Sequence, residues 1–344
     1  MKLFLPTVSI VDNSVDEIAL AIRGAPNGAL WIKDLPSVPF DKVGTILAHL
    51  AAANSSINND QSKLGDRLNR AYSNNLVFKD AWAQGKGGPN VDRKRVLDLS
   101  PERLAAIEEA DPDVLDMAPD DLPHVLAYWQ KTQDAASDKL LVAMAKAIGS
   151  NDILDDVAFN YRMVDYYGHS DQRTQAPRCG EHRDFGSFTL IHTTQPGLEI
   201  QDAATGDWLS VEQKEDSKAT ALMLFGWCTQ IRSNGRIPAA LHRVVDHRPL
   251  AHQGGEEVPR RLSAILFCAP KNPETVLEPV LLDGEGRRYV GGVRVGQLRG
   301  KMARKWRHRE GTENEQDRIY EEEEIRAAPT LKTQDDVVKK FVAV

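Results

Sequence analysis

Cysteine is scarce in this sequence of 344 residues. The three cysteines, Cys179, Cys228 and Cys268, are widely spaced, odd in number and not arranged as a CxxC pair. They predict neither a disulfide framework nor a cysteine-based zinc site. They also favour a reducing compartment, with the cytoplasm as the expected location.

The sequence also lacks a long hydrophobic run and an excess of positive charge. Because no apolar stretch approaches the roughly 18 residues that cross a bilayer, no membrane partner is expected. Lys and Arg number 43 against 50 Asp and Glu, a net charge of −7, which argues against a nucleic-acid partner. The opening MKLFLPTVSIVD resembles a signal peptide only weakly, since Pro6 and Asp12 interrupt it, and it is interpreted as a first β-strand.

The remaining composition is that of a globular chain with a sizeable core, because 41% of the residues are hydrophobic and 27% are charged. The patterning divides the chain into three regions that we expect to form one integrated unit. Residues 1–150 predict an α/β region whose long helices pack on the core. Residues 151–290 carry the core itself, and residues 291–344 predict a helical extension.

Helix and strand signals can be placed along these regions. Ser14 is a candidate N-cap for a first helix, and a second helix is expected to begin near Phe40. Residues 54–75 are polar and predict a loop, whereas residues 119–149 carry apolar positions at helical spacing and end at a glycine. Between residues 159 and 270 the pattern changes to short segments of period two separated by turn residues, which is typical of an antiparallel barrel or sandwich.

The segment CGEHRDFGSFTLI carries the first candidate site. His182 and Asp184 stand two residues apart, so on a strand both project to one face and can reach a single ion. His242, in SNGRIPAALHRVVD, is the candidate third ligand. Two imidazoles and one carboxylate that leave open positions on the metal are the arrangement of non-haem iron(II) oxygenases. The plain structural alternative is a buried ion pair between His182 and Asp184.

A second candidate site lies in RRLSAILFCAP. Arg261 and Ser263 stand at i and i+2 on a strand that Ile265 and Phe267 continue on the same face. A guanidinium that enters an apolar core needs an anion, and a planar fork beside a hydroxyl suits a carboxylate. The alternative is a structural pair between Arg261 and an acidic side chain of the protein.

The sequence resembles the isopenicillin N synthase-like family of non-haem iron(II) oxygenases, which includes many 2-oxoglutarate-dependent dioxygenases. Four segments carry the resemblance: HRDFGSFTLI, PGLEIQDAATGDWLSV, SNGRIPAALHRV and RLSAILFCAP. The resemblance implies a mainly β fold with flanking helices, built on a double-stranded β-helix (jelly-roll) core. It implies iron(II) held by His182, Asp184 and His242, with dioxygen and 2-oxoglutarate as co-substrates. It also implies that Arg261 and Ser263 bind a carboxylate of 2-oxoglutarate or of the substrate.

The sequence departs from the family pattern at two places. Where the family usually carries Asn-x-Tyr, VDYYG places Asp165 and Tyr167. Tyr167 is expected to help bind the carboxylate, whereas Asp165 either faces the same site and repels it or caps a turn in water. An Asp165 paired with Arg261 would favour an oxidase independent of 2-oxoglutarate, and an Asp165 turned away would favour 2-oxoglutarate. Trp227, in FGW where many relatives have Asn-x-Gly-Asp, is predicted to pack in the core, and the alternative is that it forms part of the wall of the iron pocket.

Three functions remain open at this point. The leading expectation is an iron(II)- and 2-oxoglutarate-dependent oxygenase that oxidises a small molecule, for example in secondary metabolism, by hydrogen abstraction leading to hydroxylation, desaturation or cyclisation. The second is an isopenicillin N synthase-type oxidase that uses iron and dioxygen without 2-oxoglutarate on a carboxylate-bearing amino acid or peptide. The third belongs to another class, a non-catalytic metal-binding jelly roll.

Overall fold

A computed structural model gives the fold of the chain. It describes the residue ranges 2–55, 64–72, 77–80, 94–118, 120–168, 178–246, 259–289 and 292–310. The helices within these ranges are α1 (Val15–Arg23), α2 (Phe40–Ser55), α3 (Leu64–Ala71), α4 (Pro101–Ala110), α5 (Leu122–Ala135), α6 (Val142–Ile148), α7 (Asp152–Asp155), α8 (Trp227–Arg232) and α9 (Val295–Glu310). Short 3₁₀ turns cover Pro26–Gly28 and Pro112–Met117, and a π-helical turn covers Ala136–Leu141.

The strands alternate with these helices in the first 150 residues and follow one another closely after that. They are β1 (Lys2–Leu3), β2 (Thr7–Ser9), β3 (Ala29–Lys33), β4 (Phe78–Lys79), β5 (Arg95–Leu99), β6 (Ala158–Tyr166), β7 (Cys179–His182), β8 (Phe188–Thr193), β9 (Leu198–Gln201), β10 (Trp208–Val211), β11 (Ala221–Phe225), β12 (His242–Val244), β13 (Arg261–Ala269), β14 (Val276–Leu277) and β15 (Val293–Arg294).

Two sheets form the core. One has the order β1-β10-β9-β12-β7 and the other the order β2-β3-β11-β8-β13-β6-β5-β4. Apolar side chains from both sheets meet in one buried cluster, among them Ile200 and Val244 from the first sheet and Val164 and Leu222 from the second. The predicted fold, a jelly roll of mainly β structure with flanking helices, is confirmed.

The central strand β13 shows how the larger sheet divides the molecule. Leu262 and Leu266 on one face belong to the cluster that packs against the helices, whereas Arg261 and Phe267 on the other face line a cavity between the sheets. Because side chains alternate along a strand, the sequence RLSAILFCA supplies a helix-facing row and a cavity-facing row at the same time. The cavity therefore lies on the face of β13 that carries the candidate carboxylate-binding residues.

Strands from the N-terminal region complete both sheets. β1 pairs with β10 in parallel, β3 pairs with β11, and β5 pairs with β6 over five residues. The region proposed over residues 1–150 thus shares its core with the region over 151–290. In the proposed extension over 291–344, β15 and α9 are described, and residues 311–344 lie outside the described part of the chain.

The helix predictions hold with one correction. Ser14 caps α1 in a capping box with Glu17, and α2 begins at Phe40. The predicted long helix consists of α5, the π turn and α6, and it ends at Gly149 with a φ of 90°. The loop predicted over residues 54–75 was wrong in part, because α3 forms within it and buries Leu68 completely. No helix in the described ranges is long and apolar enough to span a membrane.

Candidate functional site

The predicted ligands meet at one end of the smaller sheet. His182 is the last residue of β7 and His242 is the first residue of β12, and the two are directly paired across the antiparallel ladder. Their ring centroids lie 4.2 Å apart. Asp184 follows two residues after His182, and one donor atom from each of the three residues lies within 4.8 Å of the others. We call His182, Asp184 and His242 the metal triad.

Hydrogen bonds orient each member of the metal triad. The Nδ1 atom of His182 lies 2.8 Å from the carbonyl oxygen of Gly180, and Nδ1 of His242 lies 3.1 Å from that of Ala240. A carbonyl oxygen only accepts, so both rings carry their proton on Nδ1 and leave the Nε2 lone pair for a metal. The Nε2 atom of His182 lies 3.6 Å from Oδ1 of Asp184.

Thr189 fixes the carboxylate of the triad. Its hydroxyl donates to Oδ2 of Asp184 at 2.5 Å, within the buried part of the site. This bond leaves Oδ1 of Asp184 as the oxygen that faces the imidazoles. The donor set is therefore two imidazole nitrogens and one carboxylate oxygen, which suits non-haem iron(II) and leaves coordination positions for further ligands.

The protonation states agree with metal binding. Burial, assisted by the neighbouring His242, lowers the pKa of His182 to about 3, so its imidazole is neutral at physiological pH. Burial opposes ionisation of Asp184, but the two imidazoles and the Thr189 hydroxyl outweigh it and lower the pKa of the carboxyl. Neutral imidazole and ionised carboxylate are the forms that bind metal ions.

Two close backbone contacts hold the turn that carries Asp184. The amide of Trp227 donates to the carbonyl oxygen of Asp184 at 2.9 Å. A Cβ atom placed on Gly226 would lie 2.3 Å from the carbonyl oxygen of Gly186 and 2.7 Å from that of Asp184. Only glycine fits at position 226, because any side chain would push the Asp184 turn away from α8.

Arg261 lies at the other end of the same cavity wall. It is 2% exposed, its Nε donates to the carbonyl oxygen of Gln195 at 3.0 Å, and its Nη1 donates to Oγ of Ser263 at 2.8 Å. Its guanidinium lies 5.1 Å from the ring centroid of Tyr166. Burial lowers the pKa of Arg261, and no acidic side chain of the described residues forms an ion pair with it. A buried guanidinium in this state favours binding of an external anion.

Tyr166, and not Tyr167, lines the cavity beside Arg261. The structure places Tyr167, for which the carboxylate-binding role was expected, outside the cavity lining, and strand alternation gives the reason. Arg162, Val164 and Tyr166 share the cavity face of β6, so the next residue leaves that face. The ring of Tyr167 instead lies 4.6 Å from the guanidinium of Arg95. We call Arg261, Ser263 and Tyr166 the carboxylate clamp.

Asp165 turns away from the carboxylate clamp. It is completely buried on the helix-facing side of the sheet, where Nε and Nη2 of Arg260 donate to it at 2.9 and 3.1 Å. Nη1 of Arg95 donates to it at 3.2 Å. The alternative that Asp165 caps a turn in water was wrong, and so was a pairing with Arg261. Among the described residues, no carboxylate therefore occupies the clamp.

Other singled-out residues have structural roles. Trp227 packs in a separate apolar cluster against α9 and the β14–β15 ladder, as predicted, and Phe185 packs against the same cluster. His192 is buried with its Nδ1 3.4 Å from the carbonyl oxygen of Ser217. His169, His247 and His252 lie outside the described residues.

The sequence analysis missed three polar residues of the cavity: Lys94, Arg162 and Thr189 line it together with the metal triad and the clamp. The cavity holds about 510 Å³ of space not filled by atoms, part of it open to solvent. The signal for Arg162 was its even spacing from Tyr166 in NYRMVDYY, which places both residues on one strand face. Thr189 is the second residue of β8, where an alternating pattern does not distinguish a residue that hydrogen-bonds to a candidate metal ligand from an ordinary core residue.

Comparisons with known proteins find similarity over the core of the chain. Residues 156–270 match the family model of the 2OG-Fe(II) oxygenase superfamily. The 2-oxoglutarate-dependent dioxygenase ecdG of Aspergillus rugulosus is 28% identical over 124 residues, 35% of this chain and 33% of that protein. A second enzyme of the same organism, the 2-oxoglutarate-dependent dioxygenase ecdK, is 35% identical over 101 residues, 29% of this chain and 30% of that protein. The match thus spans about a third of the length of these curated relatives.

Solved structures share the fold over much more of the chain. The rice dioxygenase for auxin oxidation superposes with a TM-score of 0.64 at 17% identity and covers 99% of this chain and 100% of its own. A full-length Neurospora crassa protein solved with alpha-KG gives a TM-score of 0.59 at 20% identity, over 88% of this chain and 96% of its own. The core of the chain is thus similar in sequence to the 2OG-Fe(II) oxygenase superfamily over residues 156–270, and the solved structures share its fold.

Proposed function

We propose that the protein is an iron(II)- and 2-oxoglutarate-dependent dioxygenase that oxidises a small organic molecule. The observation that carries the proposal is that the metal triad and the carboxylate clamp open on one cavity between the two sheets. The curated relatives are named as 2-oxoglutarate-dependent dioxygenases, which supports the same activity for this chain.

The metal triad would hold iron(II) through Nε2 of His182, Nε2 of His242 and Oδ1 of Asp184. Iron(II) bound there would supply the activation of dioxygen, coupled to oxidative decarboxylation of 2-oxoglutarate to succinate and carbon dioxide, that permits hydrogen abstraction from the substrate. The protein's own contribution is positioning. The Nδ1–carbonyl bonds of the two histidines and the Thr189 bond to Asp184 fix the donor atoms before any ligand arrives.

The carboxylate clamp would bind the carboxylate of 2-oxoglutarate that is remote from the metal. Arg261 offers a charged donor whose side chain is already ordered by Gln195 and Ser263, so little conformational entropy is lost on binding. Between the clamp and the triad the wall is apolar, with Val164, Ile191 and Ile265. These side chains would exclude water from the reacting atoms.

The position of Asp165 separates the two oxygenase hypotheses. An oxidase independent of 2-oxoglutarate was favoured only if Asp165 paired with Arg261, and Asp165 instead pairs with Arg260 and Arg95. A non-catalytic jelly roll is disfavoured, because it would need neither an ordered metal triad nor a second cationic site in the same cavity.

The three cysteines all lie in the described ranges, where they are buried and form no disulfide, which supports our proposal of a cytoplasmic location.

The proposal is tested by binding and by turnover. Under anaerobic conditions the protein should bind iron(II) and then 2-oxoglutarate, and in air it should convert 2-oxoglutarate to succinate with consumption of dioxygen. Replacement of His242 by alanine should abolish metal binding, whereas His192→Ala should retain it because His192 lies outside the cavity. Arg261→Leu should raise the 2-oxoglutarate concentration needed for half-maximal turnover by about tenfold or more, the scale of one charge-assisted hydrogen bond.

The neighbouring arginine supplies the matched control. Arg260 precedes Arg261 directly but pairs with Asp165 outside the cavity, so Arg260→Leu should leave the requirement for 2-oxoglutarate unchanged. Turnover of a substrate by the wild-type protein in the complete absence of 2-oxoglutarate would refute the proposal. If the two arginine substitutions had equal effects, the carboxylate clamp would have no specific part in binding 2-oxoglutarate.

A further inference from the structure

Cys179 and Lys94 are two nucleophilic side chains of the cavity wall that the proposed chemistry does not use. Both line the cavity, and Nζ of Lys94 donates to Sγ of Cys179 at 3.1 Å. Lys94 directly precedes β5 of the larger sheet, and Cys179 is the first residue of β7 in the smaller sheet. The contact between the amine and the sulfur therefore connects the two sheets.

A β-bulge places Cys179 on the cavity face of β7. His182 pairs with His242 of β12. Cys179 pairs with Val244, so three residue steps on β7 match two on β12. Strict alternation would put Cys179 and His182 on opposite faces of the strand, whereas the extra residue brings both to the cavity. Two ladder positions separate them, which correspond to about 7 Å.

The other two cysteines provide an internal comparison. All three cysteines lie in the described ranges, and of the three Cys179 is the one that lines the cavity. Cys228 and Cys268 are 0% and 1% exposed, and burial raises the pKa of both thiols, that of Cys228 to about 12. The thiolate is the form that reacts with peroxides, and a neighbouring ammonium such as that of Lys94 favours it. Oxidation should therefore select Cys179.

We propose that Cys179 and Lys94 form an oxidation site, at which hydrogen peroxide joins the two side chains by a covalent S–N bond. The thiolate first attacks one oxygen of the peroxide, the O–O bond breaks, and a sulfenic acid and hydroxide form, which the thiol proton converts to water. The neutral amine of Lys94 then attacks the sulfur, the S–O bond breaks, and hydroxide leaves with an amine proton as a second water. Sulfur loses two electrons, and one peroxide is reduced to two waters.

The short distance between nitrogen and sulfur favours the crosslink over further oxidation. A sulfenic acid condenses with a nitrogen that lies close to it, and here the nitrogen is 3.1 Å from the sulfur before any reaction. Attack by a second peroxide is bimolecular, whereas attack by Lys94 is intramolecular and has a high effective concentration. The bond joins residues 85 positions apart in the chain. No step uses iron or 2-oxoglutarate, so the site is independent of the proposed function.

The test uses the full chain loaded with zinc(II), which is redox-inert, so that added hydrogen peroxide is the oxidant. After the reaction, remaining thiols are alkylated, the chain is cleaved before aspartate, and the peptides are analysed by mass spectrometry without reductant. Residues 92–97 and 171–183 are two of the expected peptides and carry Lys94 and Cys179. The two should appear joined, about 2 Da lighter than their sum, and a thiol reductant should separate them.

Three variants make the result specific. Lys94→Arg keeps a cation beside Cys179 but replaces the amine by a guanidinium, a poor nucleophile, so Cys179 should become a sulfinic acid, about 32 Da heavier, without a crosslink. Cys179→Ser should give neither product. Cys228→Ala is the matched control, because it removes a cysteine outside the cavity lining, and it should form the crosslink as the wild type does.

Four outcomes would overturn the proposal. The first is a wild-type protein in which Cys179 is oxidised while the joined peptides are absent, and the second is a wild-type protein in which Cys179 does not react. The third is equal oxidation of all three cysteines, which would assign the reaction to unfolded chains. The fourth is a joined product about 14 Da heavier than the two peptides, because it would retain one oxygen and exclude a direct S–N bond.

Discussion

The contacts of Asp165 allow the loss in free energy of unfolding on its substitution to be worked out. It is buried beneath α2 and receives three hydrogen bonds, two from Arg260 and one from Arg95. Nη2 of Arg260 also donates to the carbonyl oxygen of Gly44 in α2 at 3.1 Å, so the cluster joins the sheet to the helix layer. Asp165→Asn keeps the shape of the side chain and removes its charge.

The expected loss is smaller than for a fully enclosed ion pair. Removal of one partner from such a pair costs about 3–5 kcal/mol. Here Arg260 is 41% exposed and can reach water, and Arg95 keeps a second carboxylate at 2.9 Å, that of Asp80. The amide oxygen of the substituted side chain would also still accept one bond. We expect Asp165→Asn to lower the free energy of unfolding by about 2–3 kcal/mol, the scale of one to two charge-assisted bonds.

Urea denaturation measures this loss, with Asp16→Asn as the control. Asp16 pairs with Lys146 at the surface, where the two side chains are 80% and 49% exposed, and its removal should cost about 0.5 kcal/mol or less. The affinity for 2-oxoglutarate should not change in Asp165→Asn, because the carboxylate faces away from the clamp. Equal losses for the two variants would show that the cluster does not stabilise the fold. A large fall in 2-oxoglutarate affinity would show that Asp165 acts on the clamp.

Three further outcomes are expected. Thr189→Val should weaken metal binding by about 10- to 100-fold in a competition titration, because Oδ2 of Asp184 loses its donor, while Thr193→Val should have little effect. Gly226→Ala should lower both the thermal midpoint and the metal content of the purified protein, since its Cβ would displace the Asp184 turn, and an unchanged metal content would contradict this. Burial lowers the pKa of His192 to about 4 from 6.5, so the unfolded chain binds the extra proton and stability should fall as the pH drops from about 6.5 through 4. His192→Gln should flatten that part of the stability profile, and an unaltered profile would assign the acid sensitivity to other groups.

The sequence predicted the parts of the site that repeat with the period of a strand. His182 and Asp184 at i and i+2, and the cavity row that begins with Arg261 and Ser263, needed only the alternation of side chains. His242, the candidate third ligand, lies far from the other two in sequence, and the pairing of β12 with β7 brings it beside His182. Their joint role as metal ligands remains a proposal that the binding experiments test.

The features that the sequence did not predict depend on which face of a strand each residue occupies and on partners that lie far away in the sequence. VDYYG contains two adjacent tyrosines, and nothing local decides which of Tyr166 and Tyr167 faces the cavity. The phase is set by the pairing of β6 with β13, which places Tyr166 opposite Arg261. The partners of Asp165 were hidden for the same reason, since Arg95 lies 70 residues away along the chain.

The strand β13 sets the spacing of side chains along the cavity wall. It carries Arg261 at its first residue and Phe267 six residues later, so about 20 Å of extended backbone separates the two ends. It is hydrogen-bonded on both sides, to β6 over nine residue pairs and to β8 over six. A slip or insertion of one residue would reverse every side chain on the strand and would break both ladders. The distance between Arg261 and Phe267 is thus set by backbone pairing, and under the proposed function a change in accepted substrate length would have to come from the strands and turns around the cavity.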